Sequence, residues 1–220
     1  MKIAPDANEI YRYLGVPSPD PDTARMAAEC VSLLDGCADA RFASRVFGVE
    51  IKGNSVLTAD REFVSSGLAR HLSGCPAAIL FAMTLGADVD RLAVRLSRTR
   101  IALAAVFQAA AAAYAEAACD TFCADMADAA KEGGLFPGTS YLTTRFSPGY
   151  GDLPLKTQKD VLAVLNAPVR IGLTLTESFM LAPTKSVTAF IGLSPVPAKS
   201  CYGECSLCSK TDCAFRKKEN

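Results

Sequence analysis

Residues 76–86 read Pro-Ala-Ala-Ile-Leu-Phe-Ala-Met-Thr-Leu-Gly, and this stretch decides the fold class. The apolar run from Ala77 to Leu85, bounded by a proline and a glycine, predicts a buried strand. Apolar residues then recur at helical spacing from Asp88 to Thr99, and a long alanine-rich helix is expected over residues 101–131. One buried strand followed by two helices indicates a mixed architecture.

Shorter elements flank this stretch on both sides, and they are marked by capping residues, turn residues and β-branched runs. On the N-terminal side we predict a helix from Asp20 to about Gly36, a hairpin of Ser44–Ile51 with Ser55–Thr58 around Gly53-Asn54, and a helix from Asp60 to about His71. On the C-terminal side we predict an extended segment Tyr141–Phe146, a Pro-Gly turn, a helix over Leu155–Asn166, and strands near Arg170–Thr176 and Ser186–Leu193. Without a regular strand-helix-strand alternation, these elements predict an α+β fold with a mainly antiparallel sheet.

The composition excludes several classes of function. The 220 residues include 23 Lys plus Arg and 23 Asp plus Glu, so no net positive charge is available to attract nucleic acid. The helix over residues 101–131 is apolar, but Gln108 and Glu116 interrupt it, so we interpret it as a core helix and expect no membrane span. The N-terminus shows no pattern of a secretion signal, which favours a cytoplasmic location.

Nine cysteines are present, and four of them fall together at Cys201, Cys205, Cys208 and Cys213. A connector with two prolines, Ser194–Ser200, precedes them, so we divide the chain into a main domain, residues 1–194, and a cysteine tail, residues 195–220. Clustered thiolates ligate both iron–sulfur clusters and zinc. The tight spacing favours an iron–sulfur cluster of the [4Fe–4S] type, with zinc and free or oxidised thiols as the alternatives.

A second constellation is Arg145-Phe-Ser-Pro-Gly-Tyr150, where an extended segment enters a Pro-Gly turn. The Arg145 guanidinium offers a bidentate fork to a carboxylate, and Tyr150 can stack on a ligand or form a hydrogen bond with it. The alternative is a structural turn that happens to carry a surface arginine, because most Pro-Gly turns only reverse the chain.

Three segments in order carry a family resemblance: Arg145-Phe-Ser-Pro-Gly-Tyr-Gly-Asp152, Ile171-Gly-Leu-Thr-Leu-Thr-Glu-Ser-Phe-Met180 and Pro183-Thr-Lys-Ser-Val-Thr-Ala189. Together they resemble the activation domain of cobalamin-dependent methionine synthase, in its free-standing, cysteine-tailed form. The resemblance implies an S-adenosylmethionine site in which Arg145 contacts the methionyl carboxylate. The residues that the resemblance places at this site are Arg145, Ser147, Pro148, Gly149, Tyr150, Glu177 and Tyr202.

The resemblance implies a reactivation protein that docks on cobalamin-bearing methionine synthase or another corrinoid protein. It would hold S-adenosylmethionine near cobalt and relay an electron from a low-potential donor through the tail cluster to cob(II)alamin. The alternative is a non-catalytic module that binds S-adenosylmethionine or corrinoid and carries a structural zinc in its tail. We expect structural roles for His71, Cys119 and Cys123, and a solvent-facing position for Glu116 and Asp120.

Overall fold

The computed structural model describes residues 3–16 and 18–197. Its elements follow one another along the chain as α1 Ala7–Leu14, α2 Pro21–Cys37, β1 Arg41–Gly48, β2 Glu50–Lys52, β3 Ser55–Thr58, β4 Arg61–Val64, α3 Ser66–His71, β5 Ala77–Thr84, α4 Ala87–Thr99, α5 Ile101–Lys131, β6 Tyr141–Leu142, a 3-10 turn Leu155–Thr157, α6 Gln158–Leu165, α7 Ala167–Ile171, β7 Thr174–Leu175, β8 Leu181–Ala182 and β9 Ser186–Ser194.

The main sheet has the strand order β1-β5-β9-β6 in the part of the chain that is described, and its neighbouring strands are antiparallel. β2, β3 and β4 form a second antiparallel sheet, and β7 and β8 form a hairpin. The α+β class and the mainly antiparallel sheet are therefore confirmed.

β5 lies in the middle of the main sheet, and all of its residues are buried. Side chains alternate along a strand, so Ile79, Phe81 and Met83 pack on one face, against a core that includes residues of α1, α2, α4 and α5. Ala78 and Leu80 pack on the other face, with residues of α3, α6 and α7. Burial on both faces explains why this strand reads as a continuous apolar run.

Three expectations for the smaller elements are wrong in part. Asp60 does not cap a helix, because Ala59 and Asp60 form the two-residue turn between β3 and β4, and both have positive φ, as such hairpin turns require. The helix starts instead at Ser66, with the Ser65 side chain as its cap. The hairpin at Gly53-Asn54 is confirmed, but only β2 pairs there, since β1 belongs to the main sheet.

The third correction concerns the strand expected near Arg170–Thr176. Residues Ala167–Ile171 form the short helix α7, which has a proline in its first turn and Gly172 in the left-handed region at its end. Only Thr174–Leu175 is extended, as β7. Proline at a helix start and glycine just past its end are helix signals that outweigh the β-branched residues here.

α5 is the one helix of the described residues that is long and apolar enough to cross a membrane. Of its most apolar window, 61% is buried inside the protein. It packs against α1, α2 and α4, and it also contacts β6 and β9. Burial against these elements accounts for its apolar composition.

Candidate functional site

Arg145 points toward α5 because of the strand geometry of its own segment. The next residue, Phe146, forms a reciprocal pair of backbone hydrogen bonds with Phe190 of β9, at 2.9 and 2.8 Å. The Phe146 ring is fully buried on the α3 side of the sheet. Neighbouring side chains of an extended segment point to opposite faces, so the Arg145 side chain lies on the α5 side.

The Arg145 guanidinium is held by two carboxylates of α5. Its Nη1 donates to Asp120 Oδ1 and its Nη2 to Glu116 Oε2, both at 2.7 Å, and Nη1 also lies 3.6 Å from Cys123 Sγ. The Arg145 side chain is 19% exposed, against 41% for Glu116 and 71% for Asp120. Burial would lower the pKa of Arg145, but the neighbouring thiols and carboxylates raise it above its usual value, so the group stays charged.

Glu116 and Asp120 were expected to face solvent. They lie one helical turn apart, and both reach the same guanidinium, although Asp120 remains mostly exposed. The signal that sequence reasoning missed is the like-charge pair itself, since two carboxylates on one helix face repel each other unless a cation lies between them. We call Arg145, Glu116 and Asp120 the charged cluster.

The Pro-Gly turn brings Tyr150 close to this cluster. The Tyr150 amide donates to the Ser147 carbonyl at 3.0 Å, and the Gly149 amide, at φ 93°, donates to the Leu153 carbonyl at 2.9 Å. Pro148 is buried, whereas the Tyr150 ring is 53% exposed and packs edge-on to Phe146 with ring centroids 6.0 Å apart. The turn therefore leaves an aromatic face open beside a buried anchor.

Tyr13 of α1 is a further neighbour of the charged cluster that the sequence did not suggest. Desolvation, and after it the negative charge of Glu116, raises the pKa of both Tyr13 and Tyr150. Both phenols therefore experience the charge of the same carboxylate, and α1 packs against α5. α1, the middle of α5 and the Arg145–Tyr150 turn converge here, and a charged, aromatic ligand would find both kinds of contact.

His71 has the structural role that was expected. It is 5% exposed, and its Nε2 lies 2.8 Å from the Thr144 carbonyl and 2.9 Å from Thr143 Oγ1. Donation to a carbonyl requires a proton on Nε2. Burial lowers the pKa of His71, so the neutral ring is favoured.

Glu177 lies apart from the charged cluster. It is exposed in the turn between β7 and β8, where the Met180 and Phe179 amides bond to Thr176. Among the described residues, no hydrogen bond or ion pair links Glu177 to Arg145. Its assignment to the ligand site thus stays a prediction.

The third motif anchors the hairpin to the helices. The Thr184 amide donates to Asp90 Oδ2 of α4 at 2.8 Å, and Lys185 Nζ donates to the Gln108 carbonyl of α5 at 3.1 Å. These contacts assign a structural role to part of the motif.

Tyr202 and the four tail cysteines Cys201, Cys205, Cys208 and Cys213 lie outside the described residues. Within residues 3–16 and 18–197, no group of three or more His, Cys, Asp or Glu side chains is arranged to hold a metal ion. The metal assignment and the division at residue 195 therefore stay predictions from the sequence.

Comparisons with known proteins agree with this architecture. A model of the family described as "Vitamin B12 dependent methionine synthase, activation domain" matches residues 70–218, more than half of the chain. Among solved structures, the chain is similar to the crystal structure of the MetH reactivation domain bound to AdoHcy, with a TM-score of 0.65 at 17% sequence identity. That likeness covers 87% of this chain and 74% of the other. A search of curated proteins gives no match.

Proposed function

Since this chain belongs to the family of vitamin B12 dependent methionine synthase activation domains, we propose that it binds S-adenosylmethionine and reactivates a corrinoid protein. The solved relative is described as bound to AdoHcy, the product that S-adenosylmethionine leaves after methyl transfer. That ligand supports the proposal for this chain.

The charged cluster is the observation that carries the proposal. S-adenosylmethionine bears a carboxylate, an ammonium and a sulfonium, so it has a single net positive charge. One guanidinium with two carboxylates has a single net negative charge, which complements the ligand as a whole. Arg145 also donates through both terminal nitrogens. Its guanidinium is therefore already oriented to donate to a ligand carboxylate that replaces one of its two partners.

The residues around the cluster have separate roles in this proposal. Arg145 binds the methionyl carboxylate, and Glu116, which is the less exposed of the two carboxylates, stays to face the cationic part of the ligand. The exposed ring of Tyr150 packs on the ligand, with its position set by the Ser147 and Gly149 hydrogen bonds. Glu177 and Tyr202 remain candidates for further contacts.

The methyl acceptor is the corrinoid cobalt of a partner protein, which requires one low-potential electron before it can take the methyl group. We propose that the tail supplies a route for this electron. Four thiolates at the spacing of Cys201, Cys205, Cys208 and Cys213 suit an iron–sulfur cluster, and they also suit zinc. The redox requirement of the reaction favours iron over zinc, because zinc carries no electron.

A reactivation assay tests the function. The full chain is purified anaerobically and mixed with a corrinoid protein in the Co(II) state, S-adenosylmethionine and a low-potential reductant. We expect faster appearance of the methylcobalt spectrum than without the chain, and no turnover by the chain alone. An unchanged rate, with each corrinoid protein of the same source tried in turn, would contradict the proposal.

The electron relay has its own test in the tail cysteines. Changing any of Cys201, Cys205 or Cys208 to Ser should remove most of the iron and the broad visible absorbance, whereas Cys75→Ser, at a buried cysteine of the main domain, should remove neither. A colourless, zinc-loaded wild type would instead favour the module with a structural metal. Wild-type iron content in all four tail variants, Cys213→Ser included, would refute the ligand assignment.

A further inference from the structure

Asp152 lies at the C-terminal end of the turn that begins at Arg145, and its carboxylate contacts the start of α3. Its Oδ1 accepts hydrogen bonds from Ser65 Oγ at 2.5 Å and from the Gly67 amide at 2.9 Å. Its Oδ2 accepts from the amide and the hydroxyl of Ser66, both at 2.7 Å. These donors lie 85 to 87 residues earlier in the sequence, so the contact is purely tertiary.

The four donors saturate this carboxylate. A carboxylate offers about four acceptor positions, and each of them is taken here. The hydrogen bonds from Ser65 and Ser66, with that of the Gly67 amide, hold the pKa of Asp152 far below its usual range. It therefore stays ionised at working pH, and its acceptor positions are already used although the side chain is exposed. These contacts indicate a mechanical role.

Gly67 shows how closely α3 approaches the turn. A Cβ at this position would lie 3.0 Å from Asp152 Oδ1 and 3.2 Å from Phe146 Cζ, which is tighter than an ordinary contact. The first turn of α3 therefore contacts Phe146, which precedes the Pro-Gly pair, and Asp152, which follows it. Only glycine leaves room for the carboxylate and the ring together.

The other end of α3 contacts the same segment. His71 bonds to the carbonyl of Thr144, and its ring lies 5.1 Å from the ring of Phe146. α3 is thus attached to the chain immediately before Arg145, at Thr144, and again two residues after Tyr150, at Asp152. Both attachments come from a helix that carries none of the predicted ligand residues.

We propose that Asp152, seated on the first turn of α3, is a positioning residue that sets where Arg145 and Tyr150 meet the ligand. The proposal rests on the proposed S-adenosylmethionine site, and it adds a residue that does not touch the ligand. Its physical basis is preorganisation: a bidentate guanidinium contact needs the loop to be held within a few tenths of an ångström, and a loop needs fixed ends for that.

Asp152→Asn is the first test, with Asp20→Asn as its matched control. Asp20 also places a carboxylate at the start of a helix, but as the local N-cap of α2, where it accepts from the Thr23 amide at 2.7 Å and contacts no part of the turn. We expect Asp152→Asn to weaken S-adenosylmethionine binding at least ten-fold in calorimetry and to speed hydrogen exchange at the Tyr150 and Leu153 amides by a similar factor. Asp20→Asn should change neither.

Gly67→Ala separates positioning from simple helix capping, because only positioning predicts a change in the turn and in ligand binding. If Asp152 does no more than cap α3, the added methyl can shift the thermal midpoint but leaves amide exchange in the turn and the binding constant unchanged. Positioning predicts that the added methyl displaces Asp152, with faster exchange in the turn and weaker binding. Gly36→Ala in α2, where a Cβ meets open space, is the control.

Two outcomes divide the possibilities. If both variants leave exchange at Tyr150 and Leu153 and the binding constant unchanged, the positioning role is refuted, whatever happens to the thermal midpoint. If the wild type binds no S-adenosylmethionine, the proposed function fails, and the exchange measurement alone then decides whether Asp152 holds the turn.

Discussion

The Arg145–Asp152 turn is held from two sides, and the two attachments are built differently. On the α5 side, Arg145 bonds to carboxylates that keep 41% and 71% of their side chains exposed. On the α3 side, Asp152 takes four short hydrogen bonds and has no free acceptor. On the first side, Arg145 can give up one carboxylate and keep the other, whereas on the second side one carboxylate, although exposed, is held by four bonds at once. Under our proposal, the α5 side binds the ligand and the α3 side anchors the turn.

The largest effect is expected on the α5 side, where Arg145 can replace a carboxylate partner with the ligand. Arg145→Ala removes a charge-assisted pair with the ligand carboxylate, which should cost about 2–4 kcal/mol, or roughly 30- to 1,000-fold in affinity for S-adenosylmethionine. Calorimetry on the folded variant measures it. Arg100→Ala is the matched control, because Arg100 also bonds to a glutamate through both terminal nitrogens, at the start of α5.

The Arg145 experiment can break the comparison as well as support it. Equal affinity of Arg145→Ala and wild type would move the ligand site away from the α5 side. If Arg100→Ala lost affinity to the same extent, the loss would reflect a general disturbance of α5. The charged cluster would then not be identified as the ligand site.

A smaller effect, with opposite signs, is expected within the cluster. Asp120 is the more exposed carboxylate, and it accepts from Nη1 of Arg145. Asp120→Asn should weaken that bond, free the nitrogen for the ligand and raise the affinity for S-adenosylmethionine about two-fold. Glu116→Gln removes the carboxylate that faces the ligand cation and should lower affinity about five-fold, near 1 kcal/mol. Equal losses in both variants would show that Arg145 keeps both partners when the ligand binds.

The sequence predicted the elements whose signal is local. β5, α4 and α5 each carry a pattern that extends over the whole element, and β9 and the Pro-Gly turn were placed within a residue or two of their observed bounds. The errors fell where short-range signals competed. Asp60 is a frequent capping residue, but at positive φ it served a hairpin turn instead, because the strand after it pairs back on β3.

Only the contiguous part of the candidate site could be named from the sequence. Arg145 and Tyr150 could be named because they share one motif, whereas Glu116 and Asp120 meet Arg145 only through the packing of α5 against β6 and the segment that follows it. Asp152 was quoted within the motif, yet its partners Ser65 and Ser66 lie in another part of the sequence. Pairings of this kind depend on the tertiary arrangement, which no local pattern encodes.

The smallest expected effect compares the two ends of α3 by pH. Burial lowers the pKa of His71 from 6.5, so the unfolded chain binds the extra proton first, and stability should fall as the pH drops below about 6.5. Asp152 has a lowered pKa too, but from 3.8, so its contribution should be lost only in stronger acid. His71 is the single histidine of the chain, so a change of stability with pH just below about 6.5 can be attributed to it.

Thermal unfolding of His71→Gln between pH 7.5 and 5 checks this. The glutamine amide can still donate to the Thr144 carbonyl, so the variant should lose about 1 kcal/mol or less at neutral pH and show a flatter pH dependence than the wild type in this window. Asp152→Asn should keep the wild-type slope there and lose only the dependence at lower pH. If the slope between pH 7.5 and 5 persists in His71→Gln, groups other than His71 control it, and pH does not distinguish the two ends of α3.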